Sequence, residues 1–161
     1  MLAFDIETTG LDPMRSEVTC LCLYDPDEGI ERTFIPPLGD DLGEAFRIMD
    51  TTSVLCAFNG ARFDLPFIQH QLRASPERVL GWRLKLHDVF EACKLALNIT
   101  FPLKALLALN DLPGKTGSGA DAIQLALDGD WSRLGEYCLN DTRVTHRVSS
   151  LHVILLPCTR V

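Results

Sequence analysis

The chain opens on a strand-like segment that ends in two acids. Residues 1–5, MLAFD, have the composition of a buried strand, and Glu7 follows Asp5 two positions later in FDIETTG. On a strand, residues i and i+2 point to the same face, so the two carboxylates converge while Ile6 faces the other way. Such a pair at the end of a buried strand is costly unless a cation or hydrogen-bond donors satisfy it. The segment therefore calls for a sheet that covers the strand and for a partner to its acids. Alone, D-x-E also fits a solvated strand end. Thr8, Thr9 and Gly10 read as the start of a turn with exposed backbone N–H groups.

Downstream patterning supplies the sheet. Thr19–Tyr24 and Glu31–Ile35 read as two further strands, separated from the first by the turn-rich TTGLDP and DPDEG. Asp40–Asp50 has helical spacing, with Leu42, Phe46 and Met49 on one side. Ser53–Phe58 is a short continuous apolar run, as expected of a central strand covered on both faces. A helix is predicted from about Leu65 to Leu72, with Pro66 in its first turn and Asp64 near its N-terminus. Leu84–Leu86 reads as a fifth strand leading into a helix from His87 to about Leu97. Leu103–Leu109, Ala120–Leu127 and Gly135 to about Leu155 read as helices, and Pro113–Gly119 (PGKTGSG) as a mobile loop. Three early strands followed by alternating helix and strand predict an α/β fold, a mixed sheet with helices on its faces.

At 161 residues the chain fits one domain and needs no disulfide or structural metal to fold. Its six cysteines show no C-x-x-C pair and no histidine at zinc-finger spacing, and four sit in apolar stretches, which predicts reduced, mostly buried thiols. That usage, with an acid already at position 5 instead of a basic, apolar leader, points to an intracellular protein, cytoplasmic or nuclear, that is not secreted. Val153–Leu156 is too short to span a bilayer. The net charge of −7 argues against a basic nucleic-acid groove, but two divalent cations would bring it to −3 and set the field where they bind.

Two further polar constellations follow the first. NGARFD, residues 59–64, comes directly after the apolar run VLCAF; a polar residue, a glycine and an acid there match the ligand-binding edge of α/β sheets. Asp64 also suits a helix cap. Tyr137 and Asp141 in YCLND share a helix face by their i,i+4 spacing, with Cys138 and Leu139 falling off that face.

In that order, FDIETTG, N-x-x-x-F-D and Y-x-x-x-D resemble the three exonuclease motifs of the DnaQ-like (DEDD) superfamily. The tyrosine, or DEDDy, form is similar to the proofreading domains of B-family DNA polymerases and their stand-alone relatives. The resemblance runs from Leu2 to about Arg147. It implies a single exonuclease domain over residues 1–161 with a ribonuclease H-like, mixed five-stranded sheet flanked by helices. It also implies a two-metal 3′→5′ exonuclease that releases nucleoside monophosphates from single-stranded nucleic acid, DNA favoured over RNA. Mg²⁺ or Mn²⁺ suits the oxygen ligands. By the resemblance Asp5 bridges both metals, Glu7 and Asp141 complete the water-activating site, and Asp64 supports the second metal. Tyr137 orients the attacking water. The backbone at Thr8 and Thr9, with Leu11, Asn59 and Phe63, binds the terminal nucleotide and the strand. A polymerase or another replication or repair protein is the partner implied.

The sequence departs from the histidine form, because position 136 is Glu and His146 follows Asp141; it also has Gly135 where some proofreading members carry a Lys. Two other classes remain as alternatives: a catalytically silent binding or scaffold module of the same fold, and a metal hydrolase of small phosphoesters. Asp88 reads as a helix cap, and His70, His87, His146 and His152 as ordinary side chains. GKTGSG lacks the phosphate-loop pattern, since position 109 is Leu, although Lys115 is placed to touch a nucleic-acid backbone. Arg62, Arg73, Lys85, Lys104, Arg143 and Arg147 are the basic residues nearest the motifs.

Overall fold

The structure, a computed structural model, describes residues 1–98, 100–114, 117–151 and 154–156. Lys115 and Thr116 in the middle of the predicted mobile loop, and residues 152–153 and 157–161 with His152 and Cys158, lie outside these residues.

Five strands, β1 (Leu2–Thr8), β2 (Val18–Asp25), β3 (Ile30–Phe34), β4 (Leu55–Ala57) and β5 (Leu86–Asp88), form one sheet in the order β3-β2-β1-β4-β5. The first three pair antiparallel, while β1, β4 and β5 run parallel, giving the mixed sheet expected. Seven helices accompany it among the described residues: α1 (Leu42–Thr51), α2 (Asp64–His70), α3 (Pro76–Leu84), α4 (Val89–Leu97), α5 (Leu103–Leu109), α6 (Gly119–Leu127) and α7 (Trp131–Ser149).

Strand alternation divides the interior. Leu2, Phe4 and Ile6 of β1 join Leu21 and Leu23 of β2 in a core with Phe46, Met49, Phe67 and Trp82 of α1, α2 and α3. The opposite face is covered by α7, where Cys20 and Cys22 meet Leu134, Tyr137 and Cys138. A third cluster joins α4 and α5 to Val144 and Val148 of α7.

Several boundaries differ from expectation. Helix α3 is absent from the sequence reading, and Leu84, assigned there to a strand, is its last residue. Its signals are capping ones: Ser75 accepts the Arg78 N–H and Pro76 stands in the first turn. Only Val79 and Trp82 are buried on it, so its apolar periodicity is faint. β5 therefore begins at Leu86, and α4 begins after Asp88 instead of at His87. Helix α7 starts one turn early at Trp131, because the Asp130 carboxylate accepts the Arg133 N–H, and ends at Ser149.

Candidate active site

Asp5 and Glu7 leave the core face of β1 and point toward α7. β1 pairs with β4 only at Leu2–Leu55 and Ala3–Cys56, so both acids lie past the last residue pair of that parallel ladder. A register shift between Glu7 and Thr8 against β2 marks the strand's end. Ligand sites of open α/β sheets form at such carboxyl ends.

Beyond β4 the chain turns sharply. Asn59 adopts a left-handed φ of 67°, and a Cβ on Gly60 would stand 2.5 Å from the Ala57 Cβ and 3.3 Å from the Phe4 ring. Only glycine lets the backbone approach so closely. The Asp88 carboxylate fixes this turn, accepting the N–H groups of Asn59 and Ala61 at 2.9 Å each. Its Oδ1 also caps α4 through Phe90 and Glu91, at 3.1 and 3.3 Å. Asp88 is thus the helix cap expected, with a second role in holding the site loop that the sequence did not reveal.

Asp64, 3% exposed, is the first residue of α2, yet its Oδ1 accepts the Ile6 N–H at 3.1 Å. That bond ties the start of α2 to the backbone between Asp5 and Glu7. From the third segment, Tyr137 and Asp141 of α7 reach the same cleft, of about 450 Å³. Asp5, Glu7, Thr8, Leu11, Asn59, Phe63, Asp64, Tyr137 and Asp141 all line it. Leu11 is 85% exposed and stands at its rim.

Thr9 is the exception. It is not among the lining residues; its N–H donates to the Glu17 carbonyl and its hydroxyl accepts the Glu17 N–H, both at 2.9 Å. The exposed backbone donor expected at Thr9 is therefore occupied. Cys138, off the Tyr137–Asp141 line, is buried as expected of the thiols, with Sγ 3.5 Å from the Asp5 carbonyl oxygen and 3.9 Å from Asp5 Oδ2. Helix α7 is buried on most sides, Leu139 included, and turns its Tyr137–Asp141 face to the cleft. Gly135 belongs to that packing, since a Cβ there would lie 3.0 Å from Thr33 Cγ2 of β3.

Sequence reasoning missed a fourth contributor. Gly119, Ala120 and Ile123, at the start of α6, line the cleft, and a Cβ on Gly117 would come within 3.1 Å of the Tyr137 ring. Small residues before a helix were the available signal, and they were read only as a loop.

The electrostatics follow from this crowding. Burial, and then the charges of Asp141, Glu7 and Asp5, push the Tyr137 phenol far above its ordinary value, so it stays protonated and donates its hydrogen bond toward Asp141. Carboxylate oxygens of Asp5 and Glu7 and the Cys138 Sγ lie within 4.8 Å of one another. Acids from three segments line one cleft, and carboxylate oxygens of this kind suit a hard divalent cation.

A sequence profile of the RNase H superfamily matches residues 2–107. Among solved structures, a family B DNA polymerase from the hyperthermophilic archaeon Pyrobaculum calidifontis aligns with a TM-score of 0.67 and 19% identity. That alignment covers 90% of this chain and 23% of the polymerase, so the chain spans about a quarter of that protein's length. A structure described as the apo form of the nuclease aligns with a TM-score of 0.58 and 16% identity, over 91% of this chain and 68% of the other. At such identities the likeness is one of fold. No curated protein matches the chain by sequence.

Proposed function

The chain belongs to the RNase H superfamily, and from the acids gathered at its sheet end we propose that it is a metal-dependent 3′→5′ exonuclease. Its substrate would be the 3′ end of single-stranded nucleic acid, DNA in preference to RNA, and its product nucleoside monophosphates. One observation carries this reading: Asp5, Glu7, Asp64 and Asp141, distant in sequence, line a single cleft together with Tyr137. The direction of attack and the tyrosine type rest on the motif resemblance, and residues 1–161 are read as one catalytic domain.

Asp5, Glu7, Asp64 and Asp141 would hold two divalent cations, which supply water activation and charge stabilisation at the leaving 3′ oxygen when bound. The chain's own residues do the positioning. Tyr137 would orient the attacking water through its hydroxyl, a positioning role. The Ile6 N–H orients the Asp64 carboxylate. Phe63 and Leu11 offer apolar surface for bases on either part of the cleft, and Asn59 sits at its edge. Hydrolysis adds water to phosphorus, breaks the P–O3′ bond, and leaves the phosphate on the released nucleotide. Polymerase or repair proteins are the partners that such an activity would serve.

The test is an oligonucleotide labelled at its 5′ end, as DNA and as RNA, incubated with Mg²⁺, Mn²⁺ or EDTA. A metal-dependent ladder shortening by single nucleotides is expected. A folded Asp5→Asn protein should lose at least the roughly 10–100-fold that disturbing a metal site's outer partners costs, and Tyr137→Phe should slow single turnovers. Undiminished cleavage by Asp5→Asn would remove this cleft as the active site. No cleavage by folded, metal-bound wild type would favour a binding module, and release of phosphate from a mononucleotide alone would favour a small-phosphoester hydrolase.

A further inference from the structure

Directly behind the acidic cleft lies a group of three thiols that the proposed reaction does not use. Cys20 and Cys22 stand two apart on β2, so both point to the face covered by α7. The register places them opposite Glu7 and Asp5, respectively. Cys138 descends from α7 between them, and all three are fully buried.

The sulfurs have the spacing of a metal site. The three Sγ atoms lie within 4.8 Å of one another, and those of Cys20 and Cys22 are 3.7 Å apart. Around a tetrahedral ion with metal–sulfur bonds of about 2.3 Å, neighbouring sulfurs sit roughly 3.8 Å apart. The cluster thus needs little movement to close on an ion. Its present hydrogen bonds are weak ones, Cys22 Sγ with the Thr33 hydroxyl at 3.4 Å and to the Gly135 carbonyl at 3.7 Å, and Cys138 Sγ to the Asp5 carbonyl at 3.5 Å. A disulfide suits Cys20 and Cys22 poorly, because parallel side chains two apart on a strand begin about 6.7 Å apart at Cα, at the limit for such a bond.

A further donor and an entry route lie beside Cys138, in a carboxylate that stands outside the 4.8 Å grouping of the three sulfurs. Asp5 Oδ2 lies 3.9 Å from Cys138 Sγ, and Asp5 also lines the cleft. We propose that Cys20, Cys22 and Cys138 form a site for a thiophilic divalent cation such as Zn²⁺ or Cd²⁺, with the Asp5 carboxylate drawn in from beside Cys138 as the fourth ligand. Binding exchanges three thiol protons, released to solvent, for one ion held by three thiolates and a carboxylate. Mg²⁺ does not compete for the sulfurs, because hard cations select oxygen. Since Asp5 is shared, a soft ion here draws a ligand from the cleft and weakens Mn²⁺ binding there. This second consequence rests on the proposed metal cleft, whereas the thiol site does not.

The experiment is a titration of the reduced full chain with Cd²⁺, following the sulfur-to-cadmium charge-transfer absorption and proton release. One ion per chain with a strong band is expected for wild type and for Cys56→Ser, whose thiol lies on β4 outside the cluster. A folded Cys22→Ser protein should bind Cd²⁺ weaker by about tenfold or more. An undiminished band in Cys22→Ser, or none in wild type, overturns the site. If Cys22→Ser does not fold, X-ray absorption on cadmium-loaded wild type decides by counting sulfur ligands: three support the proposal and fewer overturn it. Mn²⁺ resonance then reads the coupling: one equivalent of Cd²⁺ should lower Mn²⁺ affinity in wild type, and an unchanged affinity with the band intact overturns the antagonism.

Discussion

A charge placed inside a protein is tolerated according to what surrounds it, and two residues here show opposite solutions. Asp64 is buried but takes the Ile6 N–H. His146, 8% exposed on α7, packs edge-on against Tyr24 with ring centroids 5.4 Å apart. Burial pushes its imidazole below the ordinary value, a shift only partly opposed by the charge of Asp25. The folded state therefore favours neutral His146. Because the folded pKa is depressed, this contribution to stability is complete above the unfolded value of about 6.5 and is lost as pH falls through the folded value. Thermal melts of wild type and His146→Gln should show wild type losing ground to the variant as pH drops from about 7.5 to about 5. A difference independent of pH would mean that His146 is not held neutral by its burial.

Among the elements, the segment from β4 to α4 carries the most site geometry on the fewest residues. β4 is three residues long, the turn after it depends on Asn59 and Gly60, and one carboxylate, Asp88, ties that turn to β5 and α4. Replacing Asp88 with Ala removes a helix cap, at about 0.5–2 kcal/mol. It also strands the Ala61 N–H in a buried position, at about 1–3 kcal/mol. Urea unfolding of Asp88→Ala should show a lower midpoint with an unchanged slope. An unmoved midpoint would show that the turn holds itself. The sequence made the turn visible through N-G, yet Asp88 read only as a cap, because its bond across 29 residues to Asn59 depends on parallel pairing of β4 and β5. Helix α3 stayed hidden for a different reason: Trp82 is buried by Phe46 and by its N–H bond to Asp50, contacts from α1 that leave no periodic trace in the sequence of α3 itself.

Across the whole molecule, no Lys or Arg among the described residues lines the cleft, and three of the basic residues nearest the motifs are engaged elsewhere. Arg62 pairs with Glu91, Arg143 with Glu31 and Glu136, and Lys85 donates to the backbone at Asp50 and Thr52. With a net charge of −7, attraction for nucleic acid would, on the proposed function, fall to cations held in the cleft. Those same ions should stabilise the fold, since they bind acids brought together only by folding. At a free concentration about 100 times the dissociation constant, one ion adds roughly 2.7 kcal/mol. A scan in Mn²⁺ against EDTA should show a higher Tm with the metal, and identical transitions would mean that the native cleft holds no ion. Among the described residues, no helix is long and apolar enough to cross a membrane.

The sequence by itself determined the alternation of buried and acidic positions in β1, the order of the strands and of every helix but α3, and the acids and tyrosine on which the functional reading rests. These are local or periodic properties, set by side-chain chemistry and by repeats of about two and 3.6 residues. Tertiary structure alone decided that the Thr9 N–H is spent on the Glu17 carbonyl, that α6 walls the cleft, and that Cys138 joins Cys20 and Cys22 behind Asp5. Each depends on how the chain crosses itself: Cys138 stands 133 residues from Asp5 and comes within reach only because α7 packs across the face that β1 and β2 present together.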